Sequence, residues 1–201
     1  MEEKDLIAKA KSGDIYSFEQ LISRYQKSVY NIIYNMIGNE EEANDISQEV
    51  FIKVFKSLTK FRGESSFSTW LYSIAKNIFI NESKRYYNKK KSIETSLDDN
   101  ENLKLLNISD GYNVVEEFEI RELQEKVRQA IQQLPEEFIF VVILYYLEGF
   151  SYEEIAKIMD SSIGTVKSRL SRGKEHLKEI LSNMVNFSDF NSESINNKMI
   201  L

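Results

Sequence analysis

Between Ser161 and Lys174 the chain concentrates basic and hydroxyl side chains in a stretch without acids, although its 201 residues carry a formal net charge of -6. Guanidinium and ammonium groups pair with phosphate, and with hydroxyls they also donate hydrogen bonds to the edges of bases. By itself, a basic strip is most often a solvated helix face. The side chains predicted to point outward are Thr165, Lys167, Ser168, Arg169, Ser171 and Arg172.

The residues around this strip predict two helices joined by a tight turn. Ser151 precedes Glu154 by three residues, the spacing of a reciprocal N-terminal cap, and this helix should end near Asp160. Ser162 can cap a second helix that begins near Ile163. The core-facing series of that helix is Val166, Leu170, Gly173 and Leu177. This arrangement is typical of a helix-turn-helix whose second helix enters the major groove of DNA.

A second group of residues combines aromatic rings, an amide and positive charge. The segment 61–77, "FRGESSFSTWLYSIAKN", is followed by "KRYYNKKK" at 84–91, which holds five basic residues and no acid. Unpaired DNA needs both features, because every base has a face for stacking and every nucleotide carries a charge. Phe67 and Trp70 also fall on the apolar stripe of their helix, so burial explains them at least as well. The aromatic and amide candidates are Phe61, Phe67, Trp70, Tyr72 and Asn77.

A third group forms a polar edge on a helix predicted from Asn44 to Leu58. Asp45, Gln48 and Glu49 lie beside the apolar stripe of that helix, where they suit a basic partner, although simple solvation also explains them. The stripe predicted to be buried comprises Ile46, Val50, Phe51, Val54, Phe55 and Leu58.

Composition sets the limits within which these groups act. Hydrophobic residues make up 42% and charged residues 29% of the chain, as in ordinary soluble globular proteins. The chain has no cysteine and one histidine, His176, so we predict no disulfide, no metal site and no cofactor. The N-terminus begins acidic and has no apolar run, which predicts neither a signal peptide nor an anchor. We expect a cytoplasmic protein.

Charge divides the chain into segments. Residues 13–91 carry a net charge of +3, and residues 94–119 carry -7. With one proline and seven glycines, and no strictly alternating stretch, the sequence predicts an all-α fold of two helical bundles joined by an acidic linker. The predicted division is a first bundle over 1–92, a linker over 93–120, a second bundle over 121–182 and a frayed tail over 183–201.

The two halves resemble a known family. "LPEEFIFVVILYYLEGFSYEEIAKIMDSSIGTVKSRLSRGKEHL" resembles region 4 of sigma factors of the extracytoplasmic-function group, in the sigma-70 family of RNA polymerase sigma factors. "DISQEVFIKVFKSLTKFRGESSFSTWLYSIAKNIFINESKRYY" resembles region 2 of the same group. The two motifs stand in the family's order, without a region 3 between them, and together cover about residues 13–181.

This resemblance implies a function and partners. A sigma factor joins core RNA polymerase, directs it to a promoter and assists strand separation, and an anti-sigma factor, which can sit at the membrane, often controls it. Asp45, Gln48 and Glu49 match positions that contact the clamp helices of the largest polymerase subunit. The second bundle would contact the flap of the second-largest subunit and read the minus-35 element with the outward strip of its second helix.

The resemblance also assigns the aromatic and basic group to the minus-10 element. Asn77 matches a position at a pocket, walled by Phe61 and Ile74, that captures a flipped base, and an amide can read a base edge. Leu71 stands where housekeeping sigma factors carry a second tryptophan, which implies weaker strand separation. The predicted minus-10 set is Phe61, Trp70, Ile74, Asn77, Lys84 and Arg85.

Several alternatives remain beside this interpretation. A helix-turn-helix repressor or activator would explain 151–177 but would leave the first half without a role. An enzyme is disfavoured, because the sequence has no phosphate-binding glycine loop and no nucleophile with a histidine partner.

The linker can thread basic polymerase channels or act only as a solubilising spacer. The apolar run Phe138–Leu147 predicts a buried helix covered either by region 2 or by an anti-sigma factor.

Overall fold

The computed structural model describes residues 1–93 and 114–184, with side-chain surroundings for 1–81 and 122–184. Every regular element in these ranges is helical, which confirms the all-α prediction. The helices are α1 (Glu3–Lys11), α2 (Ile15–Ser23), α3 (Gln26–Ile37), α4 (Glu40–Ser57), α5 (Phe67–Ile93), α6 (Val114–Gln132), α7 (Glu136–Tyr146), α8 (Tyr152–Met159) and α9 (Ile163–Met184). A short 3-10 helix at Leu58–Lys60 follows α4.

The first bundle contains α1 to α5, and α4 packs against both α3 and α5. Gly38 ends α3 in the left-handed region, with φ of 78°, a conformation that glycine adopts without steric cost. The side chain of Asn39 then accepts a hydrogen bond of 3.0 Å from the Glu42 amide and caps α4. Because of this cap, α4 begins four residues before the predicted Asn44.

The second bundle contains α6 to α9, and α7 lies at its centre. All seven residues from Phe138 to Leu144 are buried. Helices α8 and α9 of the same bundle pack on α7, and α3 of the first bundle packs on it as well. An α-helix that is apolar all round needs cover on every side. The first bundle supplies part of that cover, which agrees with one of the two alternatives drawn from the sequence.

Aromatic side chains join the two bundles. The Tyr72 and Phe150 rings meet edge to face with centroids 5.2 Å apart, and the Phe79 and Phe140 centroids are 6.5 Å apart. Helix α5 packs along α8, so the first helix of the helix-turn-helix lies directly on the predicted minus-10 helix. In this structure the two bundles pack against each other.

Polar groups also lie in the contact between the bundles. Ser28 donates a hydrogen bond to the Glu148 carboxylate, and burial raises the pKa of that carboxyl above its usual range. The Arg128 guanidinium lies 4.2 Å from the centroid of the Tyr34 ring. Among the described residues, one nitrogen of Arg128 and one of Gln132 are buried without a hydrogen-bond partner. Such groups lower the stability of the contact, so it is less favourable than an optimised core.

The structure describes only part of the segment that joins the two bundles. Helix α6 begins at Val114, so helix occupies the last residues of the predicted linker over 93–120. Residues 94–113 and the predicted tail from 185 onward lie outside the described ranges. The proposed domain boundaries therefore stay a prediction.

Candidate nucleic-acid interface

The helix-turn-helix begins with the predicted cap. The Ser151 hydroxyl accepts from the Glu154 amide at 3.3 Å, while the Glu154 carboxylate accepts from the Ser151 amide at 3.0 Å. These hydrogen bonds stabilise the charged form of Glu154 and hold its pKa below the usual range. Helix α8 ends at Met159, and its C-cap is Asp160, a non-glycine residue with positive φ of 50°. Both predicted ends of this helix are confirmed.

The second helix of the motif also begins where predicted. The Ser162 hydroxyl accepts from the Thr165 amide at 3.1 Å and caps α9 at Ile163. The predicted core face is buried, and Leu181 extends it by one further turn. An ideal Cβ on Gly173 would lie 2.8 Å from Cγ2 of Val142, so glycine at this position lets α9 approach α7 closely.

The basic strip lies on the solvent side of α9. Lys167, Ser168, Ser171 and Arg172 are exposed, while Thr165 and Arg169 are partly covered at its margins. The Thr165 hydroxyl lies 2.9 Å from the Ser162 hydroxyl, so it helps to close the turn. The motif thus presents an exposed, cationic surface formed by the first three turns of α9, the part of a recognition helix that reaches base edges.

Among the predicted minus-10 residues with described side chains, Phe61 is buried, and the other three form a row on α5 that is half-buried to exposed. Phe61 is only 8% exposed, and its ring centroid lies 5.1 Å from that of Trp70. Trp70 and Ile74 are half-buried and Asn77 is exposed. Their spacing of four and three residues places them on one side of α5. The amide of Asn77 is therefore available to a ligand, with Trp70 and Ile74 in the preceding turns.

Three other candidates from this group, Tyr72, Lys84 and Arg85, have different outcomes. Tyr72 is 97% buried against Phe150, so in this arrangement of the bundles its ring belongs to the core and does not line an open groove. Burial raises the pKa of its hydroxyl to about 12. Lys84 and Arg85 lie on α5, but their side chains are outside the described part of the chain.

The polar edge of α4 continues into an apolar surface that the sequence did not indicate. Asp45, Gln48 and Glu49 are exposed as predicted. On the same outward side Ile52 is 53% exposed and Phe55 is 50% exposed. The prediction that Phe55 is buried is wrong, because its ring lies on the rim of the bundle, where the Phe18 ring meets it edge to face, with centroids 4.9 Å apart. Ile52 follows Asp45 by seven residues and Phe55 follows Gln48 by seven, so helical spacing could have placed both side chains on the outward side of α4.

None of the helices within residues 1–93 and 114–184 is long and apolar enough to cross a membrane. The same ranges bring together no group of three or more His, Cys, Asp or Glu side chains that could hold a metal ion.

Over the described residues, two helical bundles, one of which bears a helix-turn-helix with a cationic outer surface, define the class of DNA-binding transcription proteins. The family model described as Sigma-70 region 2 matches residues 21–90, and that described as Sigma-70, region 4 matches residues 124–177. The chain belongs to the sigma-70 family of RNA polymerase sigma factors, in the extracytoplasmic-function (ECF) group.

Curated relatives match along most of their length. The chain is 32% identical over 187 residues to the ECF RNA polymerase sigma factor SigW of Bacillus subtilis, covering 90% of this chain and 97% of the relative. It is 32% identical to the RNA polymerase sigma-H factor of Pseudomonas aeruginosa, covering 90% and 94%. It is 36% identical over 174 residues to the ECF RNA polymerase sigma-E factor of Escherichia coli strain K12, covering 85% and 89%.

Solved structures share the fold. CnrH in complex with the cytosolic domain of CnrY matches with a TM-score of 0.64 at 18% identity, covering 91% of this chain and 99% of that one. The sigma factor RpoE in complex with the anti-sigma factor NepR from Bartonella quintana matches with a TM-score of 0.62 at 22% identity, covering 82% and 96%. At these identities the likeness shows the fold alone.

Proposed function

We propose that the protein is a transcription initiation factor that joins core RNA polymerase and directs it to promoters with defined minus-35 and minus-10 elements. The outward strip of α9 reads the minus-35 duplex. Asn77 on α5 reads a flipped base of the minus-10 element, and the exposed side of α4 binds the clamp helices of the polymerase. Strand opening is assisted at the minus-10 element, and catalysis belongs to the polymerase.

One observation carries this proposal: three separate contact surfaces are exposed on one chain. The side chains of Arg172 on α9, Asn77 on α5 and Glu49 on α4 are all solvent-accessible. A free-standing repressor needs only the first surface, and it leaves an acidic and apolar face on α4 without a use. Unpartnered apolar surface is uncommon on monomers, and beside charged residues it is typical of a protein interface.

The arrangement of the bundles indicates how the factor is kept inactive. Elements one and a half DNA turns apart lie ~50 Å from each other. In the closed structure α5 packs on α8 and α8 packs on α9, so α5 and α9 are at most two interhelical spacings apart, about 20 Å. The bundles must therefore part before both elements are read. RpoE is known in complex with an anti-sigma factor, and such a partner acting on this chain would stabilise the closed form.

Run-off transcription with purified core polymerase tests the proposed function. The template is a genomic library, and the readout is the set of transcript starts with and without the protein. New starts that share two spaced elements are expected. If the protein footprints a DNA site alone and never changes where transcripts begin, it is a regulator of another kind.

Replacing Arg172 with alanine should weaken discrimination at one position of the minus-35 element. A base contact made by this exposed guanidinium contributes about 1–3 kcal/mol of discrimination, roughly 5- to 150-fold in the preference for the correct base. Competition binding of the holoenzyme to duplexes varied one base pair at a time measures it. Lys178→Ala, an exposed site two turns further along α9, is the control. Unchanged preference at every position would remove Arg172 from the reading set.

Replacing Asn77 with alanine should relax the preference at one minus-10 position. The amide is exposed beside Trp70 and Ile74, and loss of a pair of hydrogen bonds to a base edge costs about 1–3 kcal/mol. Transcription from templates carrying each base at each minus-10 position provides the measurement. The neighbouring change Lys76→Ala alters another side of α5 and should leave the preference intact. Identical base preference in the two variants would argue against a base-reading pocket at Asn77.

A further inference from the structure

Helix α1 packs beside the loop that leads into α5, although it lies outside the family models that match the chain. It ends at Lys11, whereas the region 2 model begins at residue 21. It packs on α2 and on the 3-10 helix that immediately precedes Phe61. The loop over 61–66 follows, and the predicted pocket wall Phe61 stands at its start. Side chains of α1 are therefore within reach of the part of the first bundle that is proposed to read the minus-10 element.

The entrance of this loop is tied to α1 by a hydrogen bond. The Lys11 ammonium, in the last turn of α1, donates at 2.9 Å to the backbone carbonyl of Phe61, which lies 50 residues further along the chain. A backbone carbonyl in a loop needs a partner from outside the regular helix bonds, and a charged donor makes the stronger kind of hydrogen bond. At the exit, the Ser66 hydroxyl accepts from the Thr69 amide at 3.1 Å and caps α5. Both ends of the loop are thus held, the first of them by α1.

A second contact ties α1 to the aromatic rings behind the loop. The Tyr25 hydroxyl donates a hydrogen bond to the Glu3 carboxylate of α1. Burial raises the pKa of Tyr25, and this bond raises it further, so the hydroxyl stays a donor. The Tyr25 ring centroid lies 5.4 Å from that of Phe67, which meets the Phe61 ring edge to face at 5.7 Å. Since Phe61 packs on Trp70, the contacts run from α1 to the support of the predicted minus-10 row.

We propose that Lys11 is a positioning residue for base recognition at the minus-10 element, with Glu3 as a second support on α1. The inference rests on the proposed function, because it takes the pocket of Phe61, Ile74 and Asn77 as the base reader. The Lys11 bond fixes the backbone at Phe61, and the Glu3 bond fixes the rings behind it. The pocket wall therefore keeps its place relative to the Asn77 amide. Neither side chain of α1 touches the base, yet both contribute to promoter choice.

Lys11→Met removes the ammonium and keeps a long side chain on α1. Without its hydrogen bond the loop occupies the reading-competent conformation for a smaller fraction of the time, and the apparent affinity for the correct base falls with that fraction. We expect the preference for the correct base at the position read by Asn77 to fall about fivefold, the typical effect of one hydrogen bond. The other minus-10 positions should keep their preference. Run-off transcription by the holoenzyme, from templates that carry each base at each minus-10 position, measures it.

Three companion variants show whether the bond is responsible. Lys11→Arg keeps a donor for the Phe61 carbonyl and should restore most of the preference. Lys9→Met removes the other basic side chain of the same turn of α1 and should keep the wild-type preference. Tyr25→Phe keeps the ring but removes the hydroxyl that donates to Glu3, so it should lower the preference at the same position.

Wild-type preference in Lys11→Met, beside a relaxed preference in Asn77→Ala, would overturn the inference. A uniform loss of holoenzyme affinity for every template, with a shallower dependence on salt, would also overturn it, because it would identify Lys11 as a phosphate contact. So would a loss of preference shared equally by Lys9→Met. If Asn77→Ala also keeps the wild-type preference, the base-reading pocket of the proposed function is refuted, and the role of Lys11 falls with it.

Discussion

Phe55→Glu should lower the affinity of the protein for core RNA polymerase about 100-fold and abolish its transcription. The ring is half exposed on the outward side of α4 and lies on the side of Asp45, Gln48 and Glu49. A buried aromatic at the centre of an interface contributes about 2–4 kcal/mol. Glutamate removes that contribution and places a charge that would be desolvated on binding. Binding of labelled protein to purified core polymerase measures the loss.

Two companion variants distinguish an interface effect from an effect on folding. Ile52→Glu changes a residue of similar exposure that lies on the same side of α4, and it should also weaken core binding. Tyr16→Glu places the same charge on an aromatic residue of α2 that is 65% exposed, and it should bind like wild type. If all three variants bind equally well, α4 is only a solvated face. If Tyr16→Glu is as defective as Phe55→Glu, the effect is not specific to α4.

Gly173→Leu should lower the free energy of unfolding of the second bundle by about 3 kcal/mol. The Cβ of any side chain at this position would lie 2.8 Å from Cγ2 of Val142 and 3.2 Å from Cβ of Phe138. Both neighbours belong to the buried α7, so α9 must move away from it, and overpacking of this kind costs about 1–3 kcal/mol or more. Urea denaturation of the full chain, followed by circular dichroism, measures the change.

The same substitution at Gly164 is the control within one helix. A Cβ there meets only the Ser162 hydroxyl, at an ordinary distance of 3.6 Å. Because leucine favours a helix over glycine by roughly 0.7 kcal/mol, Gly164→Leu should leave stability equal or slightly higher. Equal denaturation midpoints for the two variants would show that α7 yields to the added side chain, and the close approach of α9 would not depend on glycine.

Local chemistry explains the parts of the fold that could be predicted. The two helices of the DNA-binding motif are capped by Ser151 and Ser162, as predicted. Each capping hydroxyl accepts a hydrogen bond from the backbone amide three residues later, so the signal lies within a short stretch of sequence. The core face of α9 follows from helical spacing. The seven buried residues of α7 were also indicated by composition, since an all-apolar helix of this length is costly to expose.

The misjudged residues lie where one element meets another. Phe55 was predicted to be buried, and the structure exposes half of it; Tyr72 was a candidate for a groove that binds unpaired DNA, and the structure buries it. Periodicity names the residues that share a side of a helix, but it does not say where the neighbouring helices end. Phe55 lies beyond the cover of its bundle, and Tyr72 is covered by Phe150 of the other bundle. Contacts between residues 78 positions apart depend on how two bundles dock.

The helical class, the caps of the DNA-binding motif, the family and the cationic strip of α9 follow from the sequence alone, since each depends on residues near one another in the chain. The packing of the two bundles against each other, the exposed surface of Ile52 and Phe55, and the stacking of Tyr145 on Tyr152 required the three-dimensional structure. These features arise from side chains brought together across helices. Their positions depend on packing geometry, which no local pattern encodes.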